Sequence, residues 1–254
     1  MVLCIDCGNT SIKFGIVENE KLKKSYLIRT IREKSDDEYA YSFASLLKNE
    51  KKIDGAIISS VVPLLTPVLF SAIKKVYGIE ALIVGKNIKT KLALKIDNPA
   101  ELGADMIAGA VGAKKKYGAS TLVADLGTAT KIYIVNKDEA FSGCIITCGM
   151  EIGLKSLVSS TSQLLETPII VPPKILGKNT KECIQSGIVY GQIYMINEFA
   201  KRIENELGYP LKRVLTGGYS KIIKGELNSF IYDEDLILDG LYHIFKINTG
   251  DLYE

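Results

Sequence analysis

Val2-Leu3-Cys4-Ile5-Asp6-Cys7-Gly8-Asn9-Thr10 opens the chain, and Thr121-Leu122-Val123-Ala124-Asp125-Leu126-Gly127-Thr128-Ala129-Thr130 repeats its pattern. Each stretch is an apolar run that ends in Asp-x-Gly and continues into small hydroxyl or amide residues. A second β-prone run follows each, Ile12 to Val17 and Ile132 to Val135. The pattern reads as strand, tight turn, strand, with a carboxylate and a row of backbone N–H groups at the turn. Gly8 and Gly127 let the backbone approach a ligand closely. Asn9, Thr10, Thr128 and Thr130 add hydrogen-bonding side chains, and successive N–H groups can form an anion-binding concavity. A carboxylate repels phosphate directly. Asp6 and Asp125 therefore suit a nucleotide phosphate if a cation lies between, as Mg²⁺ does when it joins one or two carboxylates to phosphate oxygens. A single Asp-Gly turn is ordinary hairpin chemistry; two copies, each ending a buried-type strand, favour a ligand.

Outward from these turns, residues 2–7, 11–17 and 22–29 read as three strands. Ser35-Asp36-Asp37-Glu38 caps a helix reaching about Asn49. Gly55 to Ser60 is a buried strand, Val62-Pro63 opens a helix to Tyr77, and Ala81 to Val84 is a strand. Asn98-Pro99 begins a helix reaching Lys116, slimmed by Gly103, Gly109 and Gly112 so that it can pack closely on a backbone or a ligand. Asp105 near its start suits either the helix dipole or a cleft. Residues 120–126, 130–136 and 139–147 repeat the three-strand opening, and helical patterns follow over 149–160, 180–207 and 236–247. Arg213 to Gly218 is a strand ending in a Gly-Gly turn, a third candidate nest. The expected fold is α/β: two duplicated domains, residues 1–117 and 118–254, each a mixed sheet flanked by helices. Nucleotide and substrate would bind in a cleft between such domains.

Composition limits the alternatives. The chain has 254 residues, 47% of them hydrophobic, enough for a packed core without staples. The net charge of +3 is too small for a nucleic-acid surface. No apolar run approaches a membrane span, and Met1 leads into a strand without a secretory leader, so a cytoplasmic location is expected. Cys4-x-x-Cys7 and Cys144-x-x-x-Cys148 have spacings worth weighing as halves of a zinc site. Residues three apart in a strand point to opposite faces, which favours buried free thiols. His243 is the single histidine, which disfavours Ser-His or Cys-His catalysis. No Gly-x4-Gly-Lys-Ser/Thr run and no Gly-x-Gly-x-x-Gly after a strand is present, which argues against P-loop and Rossmann binding.

The paired Asp-x-Gly hairpins resemble the phosphate-binding elements of the actin/hexokinase/Hsp70 ATPase superfamily. Within it the chain resembles type III pantothenate kinases over nearly its whole length. The residues that carry this are Asp6-x-Gly8-Asn9-Thr10 with Lys13 and Gly15, then Pro99-x-x-x-Gly103-Ala104-Asp105. Asp125-x-Gly127-Thr128-Ala129-Thr130, Gly177-Lys178-Asn179-Thr180 with Gln185-Ser186-Gly187, Thr216-Gly217-Gly218 and Leu236-x-Leu238-x-Gly240-Leu241 complete the set. The resemblance implies ATP-dependent phosphorylation of the primary hydroxyl of pantothenate, the first step towards coenzyme A. It implies that Asp6, Cys7, Gly8, Asn9, Thr10, Ser11, Ile12 and Lys13 form the ATP phosphate loop and that Thr128 contacts ATP. It implies Asp105 as the base for the hydroxyl and Asp125 as the ligand of a monovalent cation, usually potassium. Ile96, Gly103, Ala104, Met106 and Thr180 take the pantothenate-contacting places. ATP, Mg²⁺ and K⁺ are the implied cofactors, and a homodimer the implied assembly.

The chain departs from the family pattern at several places. Met106 stands where the family has Arg, Ile96 where it has Tyr, Lys131-Ile132-Tyr133 where it has Thr-Phe-Asp, and Cys148-Gly149 where it has Pro-Gly. Loss of the Arg removes a cation and five donors. A related kinase for a different hydroxyl compound, or a nucleotide-binding regulatory homologue without turnover, are the alternatives these changes raise.

Overall fold

The computed structural model describes residues 1–50, 52–85, 87–161 and 163–250. In chain order the elements are β1 (Val2–Cys7), β2 (Ser11–Glu18), β3 (Lys21–Arg29), α1 (Asp36–Leu46), β4 (Gly55–Ser60), α2 (Thr66–Tyr77) and β5 (Leu82–Ile83). A 3-10 turn at Pro99–Glu101 precedes α3 (Ala104–Tyr117). There follow β6 (Thr121–Leu126), β7 (Ala129–Val135), β8 (Phe141–Cys148), α4 (Met150–Ser159) and α5 (Thr180–Leu207). The last are β9 (Lys212–Thr216), α6 (Ser220–Ile223), β10 (Ile231–Tyr232) and α7 (Leu236–Thr249). The chain divides into two compact units, Met1–Lys116 together with the residues from Asp235 on, and Tyr117–Glu234.

Each unit holds one five-stranded sheet, and the two orders correspond strand for strand: β3-β2-β1-β4-β5 and β8-β7-β6-β9-β10. In both, an antiparallel meander is extended by parallel strands entering beside its first strand. The α/β class and the duplication read from the sequence are therefore present in the fold.

In the first unit, Leu3, Ile5 and Cys7 of β1 point to one face and pack with Phe14, Tyr39, Phe43, Leu65, Leu69 and Ile73. That face is covered by α1 and α2. Ser35 caps α1 through a reciprocal box with Glu38, satisfying two otherwise unpaired donors. The helix expected to open at Val62-Pro63 starts four residues later, at Thr66 with Pro67 in its first turn. The other face takes α7. Phe245 lies against Gly55, and Leu238 against Gly15, where no side chain fills the space.

The return of α7 is the main departure from the expected boundary at residue 118. Its reason is steric. A methyl group on Gly240 would collide with the Ala108 carbonyl of α3, and one on Gly112 would collide with the Leu236 carbonyl. Two bare helix surfaces thus meet backbone to backbone, and the slim α3 packs on a helix far along the chain, Gly112 against Gly240.

In the second unit, Leu122, Ala124 and Leu126 of β6 pack with Ile132, Val189, Ile193, Ile196, Ala200 and Leu215 beneath α5. Strand alternation sends Asp125 to the opposite face, where Lys131 lies across from it in the register.

Candidate active site

The first hairpin presents a braced, exposed tip. The Gly8 N–H donates to the Ser11 carbonyl at 3.0 Å, so this amide is used inside the turn. Thr30 Oγ1 donates to the Gly8 carbonyl at 2.7 Å, and the Thr30 N–H to the Thr10 carbonyl at 3.0 Å. Arg32 Nη2 donates to Asn9 Oδ1 at 3.1 Å. Asn9 and Thr10 are exposed, so an anion approaching this tip meets a guanidinium. No sequence motif points to Arg32. Its only signal is register: Ser11 pairs with Arg29, which carries the chain after β3 alongside the tip.

Two residues expected in the phosphate loop have other side-chain roles. Cys7 and Ile12 are fully buried in the core cluster, which leaves only their main chain for a ligand. Burial pushes the Cys7 thiol up to about 11, with the Asp6 charge adding to the effect against a hydrogen bond to Ser60. It therefore adds no negative charge at neutral pH. Lys13 lies opposite Asp6 in the β1–β2 register, and its Nζ pairs with Asp235 Oδ1 at 2.7 Å.

Asp105 sits in the first turn of α3. The helix expected from Asn98 is broken: a 3-10 turn ends at Glu101, Leu102 is extended, and the Ile107 N–H to Gly103 carbonyl bond starts the α-helix. The Asp105 side chain folds back over Gly103, where an added methyl would lie 2.6 Å from Oδ1. The same oxygen accepts the Met106 N–H at 2.7 Å. Gly103 thus leaves room for the carboxylate, and the helix N-terminus orients it. Asp105 stays half-exposed. Met106 is buried, with its methyl and Val61 both within van der Waals reach of the Gly103 position. Ile96, half-buried, lies in a bend before the 3-10 turn.

In the second hairpin the Gly127 N–H donates to the Ala129 carbonyl at 3.1 Å, again inside the turn. Thr128 is half-exposed, and its carbonyl accepts the Gly149 N–H at 3.1 Å. A side chain on Gly149 would collide with the Gly127 and Thr128 carbonyls, so α4 starts hard against this loop. Asp125 is buried, and its Oδ2 lies 2.7 Å from Lys131 Nζ. Gly217, at φ 91°, passes so near that a methyl there would fall 2.5 Å from Asp125 Oδ1. The Gly-Gly turn expected as a nest is packed beneath this carboxylate. Tyr219, just beyond it, donates to Glu151 Oε2 at 2.5 Å and ties the turn to α4.

Thr180 is exposed at the first position of α5, behind Asn179, whose Oδ1 accepts the Glu182 N–H at 2.9 Å. Gln185 Nε2 donates to the Pro168 carbonyl at 2.9 Å, and Ser186 Oγ to that of Ile175, fixing the preceding loop. The first unit therefore holds the Asp6 loop, Ile96 and Gly103 to Met106, and the second holds Asp125, Thr128 and Thr180. Among the described residues, no cluster of three or more His, Cys, Asp or Glu could hold a metal.

Comparison with known proteins gives a consistent result. Residues 2–202 match the family model for type III pantothenate kinase. The type III pantothenate kinase of Acholeplasma laidlawii (strain PG-8A) is 39% identical over 249 residues, covering 98% of this chain and 99% of the relative. Among solved structures, a Campylobacter jejuni protein assigned to the Baf family of transcriptional activators superposes with a TM-score of 0.62 at 20% identity, covering 97% of this chain and 98% of the other. A Sinorhizobium meliloti protein assigned as a 2-dehydro-3-deoxygalactonokinase superposes with a TM-score of 0.63 at 11% identity, covering 98% and 100%. At these identities the two structures speak for the fold alone.

Proposed function

The chain belongs to the type III pantothenate kinase family and phosphorylates pantothenate with ATP, and we propose that Asp105 is the base that takes the proton from the substrate hydroxyl. The observation that carries this assignment is the half-exposed Asp105 carboxylate, oriented by the Met106 N–H above a glycine. A carboxylate of this kind acts by positioning the hydroxyl and accepting its proton late in phosphoryl transfer, a reaction that depends on placement and charge neutralisation.

The Asp6 loop is assigned to the ATP phosphates, with Arg32 as a further cation at its tip. The donor set there fits Mg²⁺, which needs one or two carboxylates and completes its shell with phosphate and water. Asp6 would hold it, and bound there it supplies neutralisation of the phosphate charge. Thr128 is assigned to ATP contact and Thr180 to pantothenate contact. Met106 supplies no charge for the pantothenate carboxylate, and its side chain is buried.

The resemblance also implies a potassium ion at Asp125. The residues do not fit one, because a tethered ammonium already lies 2.7 Å from the carboxylate. A second cation about 4 Å from that ammonium would be repelled by about 4 kcal/mol at an effective dielectric near 20. A homodimer is the assembly we infer. Ile146, Ile152, Leu157, Leu165, Leu176 and Tyr194, all in the second unit, expose apolar surface of the kind subunit contacts cover. Light scattering should find twice the chain mass. Five free thiols and ATP as donor fit a cytoplasmic enzyme, and among the described residues no helix is long and apolar enough to cross a membrane.

The test is ADP release with ATP, Mg²⁺ and pantothenate. Asp105→Asn should lower kcat by about 10²- to 10⁴-fold with ATP binding kept. Undiminished turnover in that variant would remove Asp105 from the mechanism.

A further inference from the structure

We propose that Lys131 is a built-in monovalent cation at Asp125, so that this enzyme works without added potassium. Asp125 is 4% exposed, and Lys131 stands directly opposite it in the β6–β7 register. The ammonium reaches Oδ2 at 2.7 Å, with the two side chains 15% and 5% exposed. A buried carboxylate needs a partner, and here the partner is covalently part of the neighbouring strand. Gly217 closes the other side of the carboxylate at Oδ1.

The consequence concerns the loop two residues on. An unneutralised Asp125 would repel phosphate approaching Gly127 and Thr128. An ammonium is a monovalent cation with three N–H donors. Tethered through strand register, it neutralises the carboxylate at every salt composition. Lys131 is a positioning residue in this role: it holds Asp125 and its loop in a form a polyanion can approach, and it touches no reacting atom. This rests on the kinase reading for its activity arm only.

The experiment compares the full-length protein with Lys131→Met and with the neutral pair Asp125→Asn/Lys131→Met, in KCl, NH₄Cl, NaCl and tetramethylammonium chloride at matched ionic strength. The first readout is the melting temperature, with and without ATP and Mg²⁺; the second is ADP release with pantothenate. The native protein should melt at the same temperature in KCl and NaCl and show rates within about twofold of each other. Lys131→Met should melt lower in NaCl, and KCl or NH₄Cl should restore it while NaCl and tetramethylammonium do not. Its turnover in NaCl should fall at least about tenfold, with the same salts rescuing it. The neutral pair should lose the potassium response. If Lys131→Met folds only in KCl or NH₄Cl, that selectivity gives the same answer. A potassium-specific gain in the native protein, or a Lys131→Met protein indifferent to cation identity, would overturn the proposal. Absence of pantothenate turnover in every sample would count against the kinase reading, while the melting temperatures would still decide the role of Lys131.

Discussion

The two hairpins share strand order and place a lysine opposite the turn aspartate in the same way, Lys13 across from Asp6 and Lys131 across from Asp125. Their ion pairs differ. Lys131 pairs with the aspartate facing it, with both side chains nearly buried. Lys13 reaches Asp235 Oδ1 at the start of α7, with the pair about a quarter exposed at 26% and 27%. The difference has a visible cause. α7 returns to the first sheet and brings Asp235 at its start to the face where Lys13 points. Register decides which residues can meet, and another element can bring a further carboxylate to the same lysine. Duplication thus preserved a frame and allowed its two charged corners to diverge.

The largest expected effect tests the cause. Gly240→Val should push α7 off α3, because a side chain at residue 240 meets the Ala108 carbonyl and the Gly112 amide. Loss of more than about 3 kcal/mol of stability is expected, read by denaturant unfolding. A loss under about 1 kcal/mol would mean that the two helices tolerate separation and that Asp235 is not held in place by this contact. Next in size is the pair itself. Removing the Lys131 ammonium leaves a buried carboxylate unbalanced and should cost about 3 kcal/mol in sodium buffer. Lys13→Met should cost less than about 1 kcal/mol, since its pair is partly solvated. Equal costs for the two lysines would erase the distinction between the hairpins.

Much of this arrangement was legible in the sequence. The Asp-x-Gly repeats identified both hairpins because apolar alternation and turn chemistry are local signals. The Ser35 capping box was legible for the same reason. The glycines of α3 announced a close backbone contact, but not its partner, because nothing local to Gly112 points to Gly240. The break before Gly103 was hidden, since Pro99 and Glu101 suit a helix start as well as a 3-10 turn. Lys131 departs from the family pattern. Its meaning emerged only once strand register put it across from Asp125. Arg32 carries no motif at all, and only the fold brings it to Asn9.

The smallest effect separates the hairpins by a thiol. The residue after the turn aspartate is Cys7 in one and Leu126 in the other, and both are buried in equivalent cores. Cys7 therefore acts as a small apolar side chain. Burial holds its proton up to about 11, and Cys4, fully buried three residues earlier on the other face of β1, is raised in the same direction by burial with Asp239 adding to it. Native protein treated with an alkylating reagent near pH 8 should be modified at exposed Cys183 and spared at Cys4 and Cys7; mass spectrometry of peptides after denaturation should find all five labelled. The sign of the linked stability follows. The unfolded thiols ionise near their ordinary value while the folded ones stay protonated, so their contribution is complete below about pH 8.5 and declines as the pH rises towards 11. Cys7→Val should flatten that alkaline decline slightly and leave turnover at neutral pH unchanged. Rapid native-state labelling of Cys7 would instead mean that the first hairpin opens to solvent in a way the second, sealed by leucine, does not.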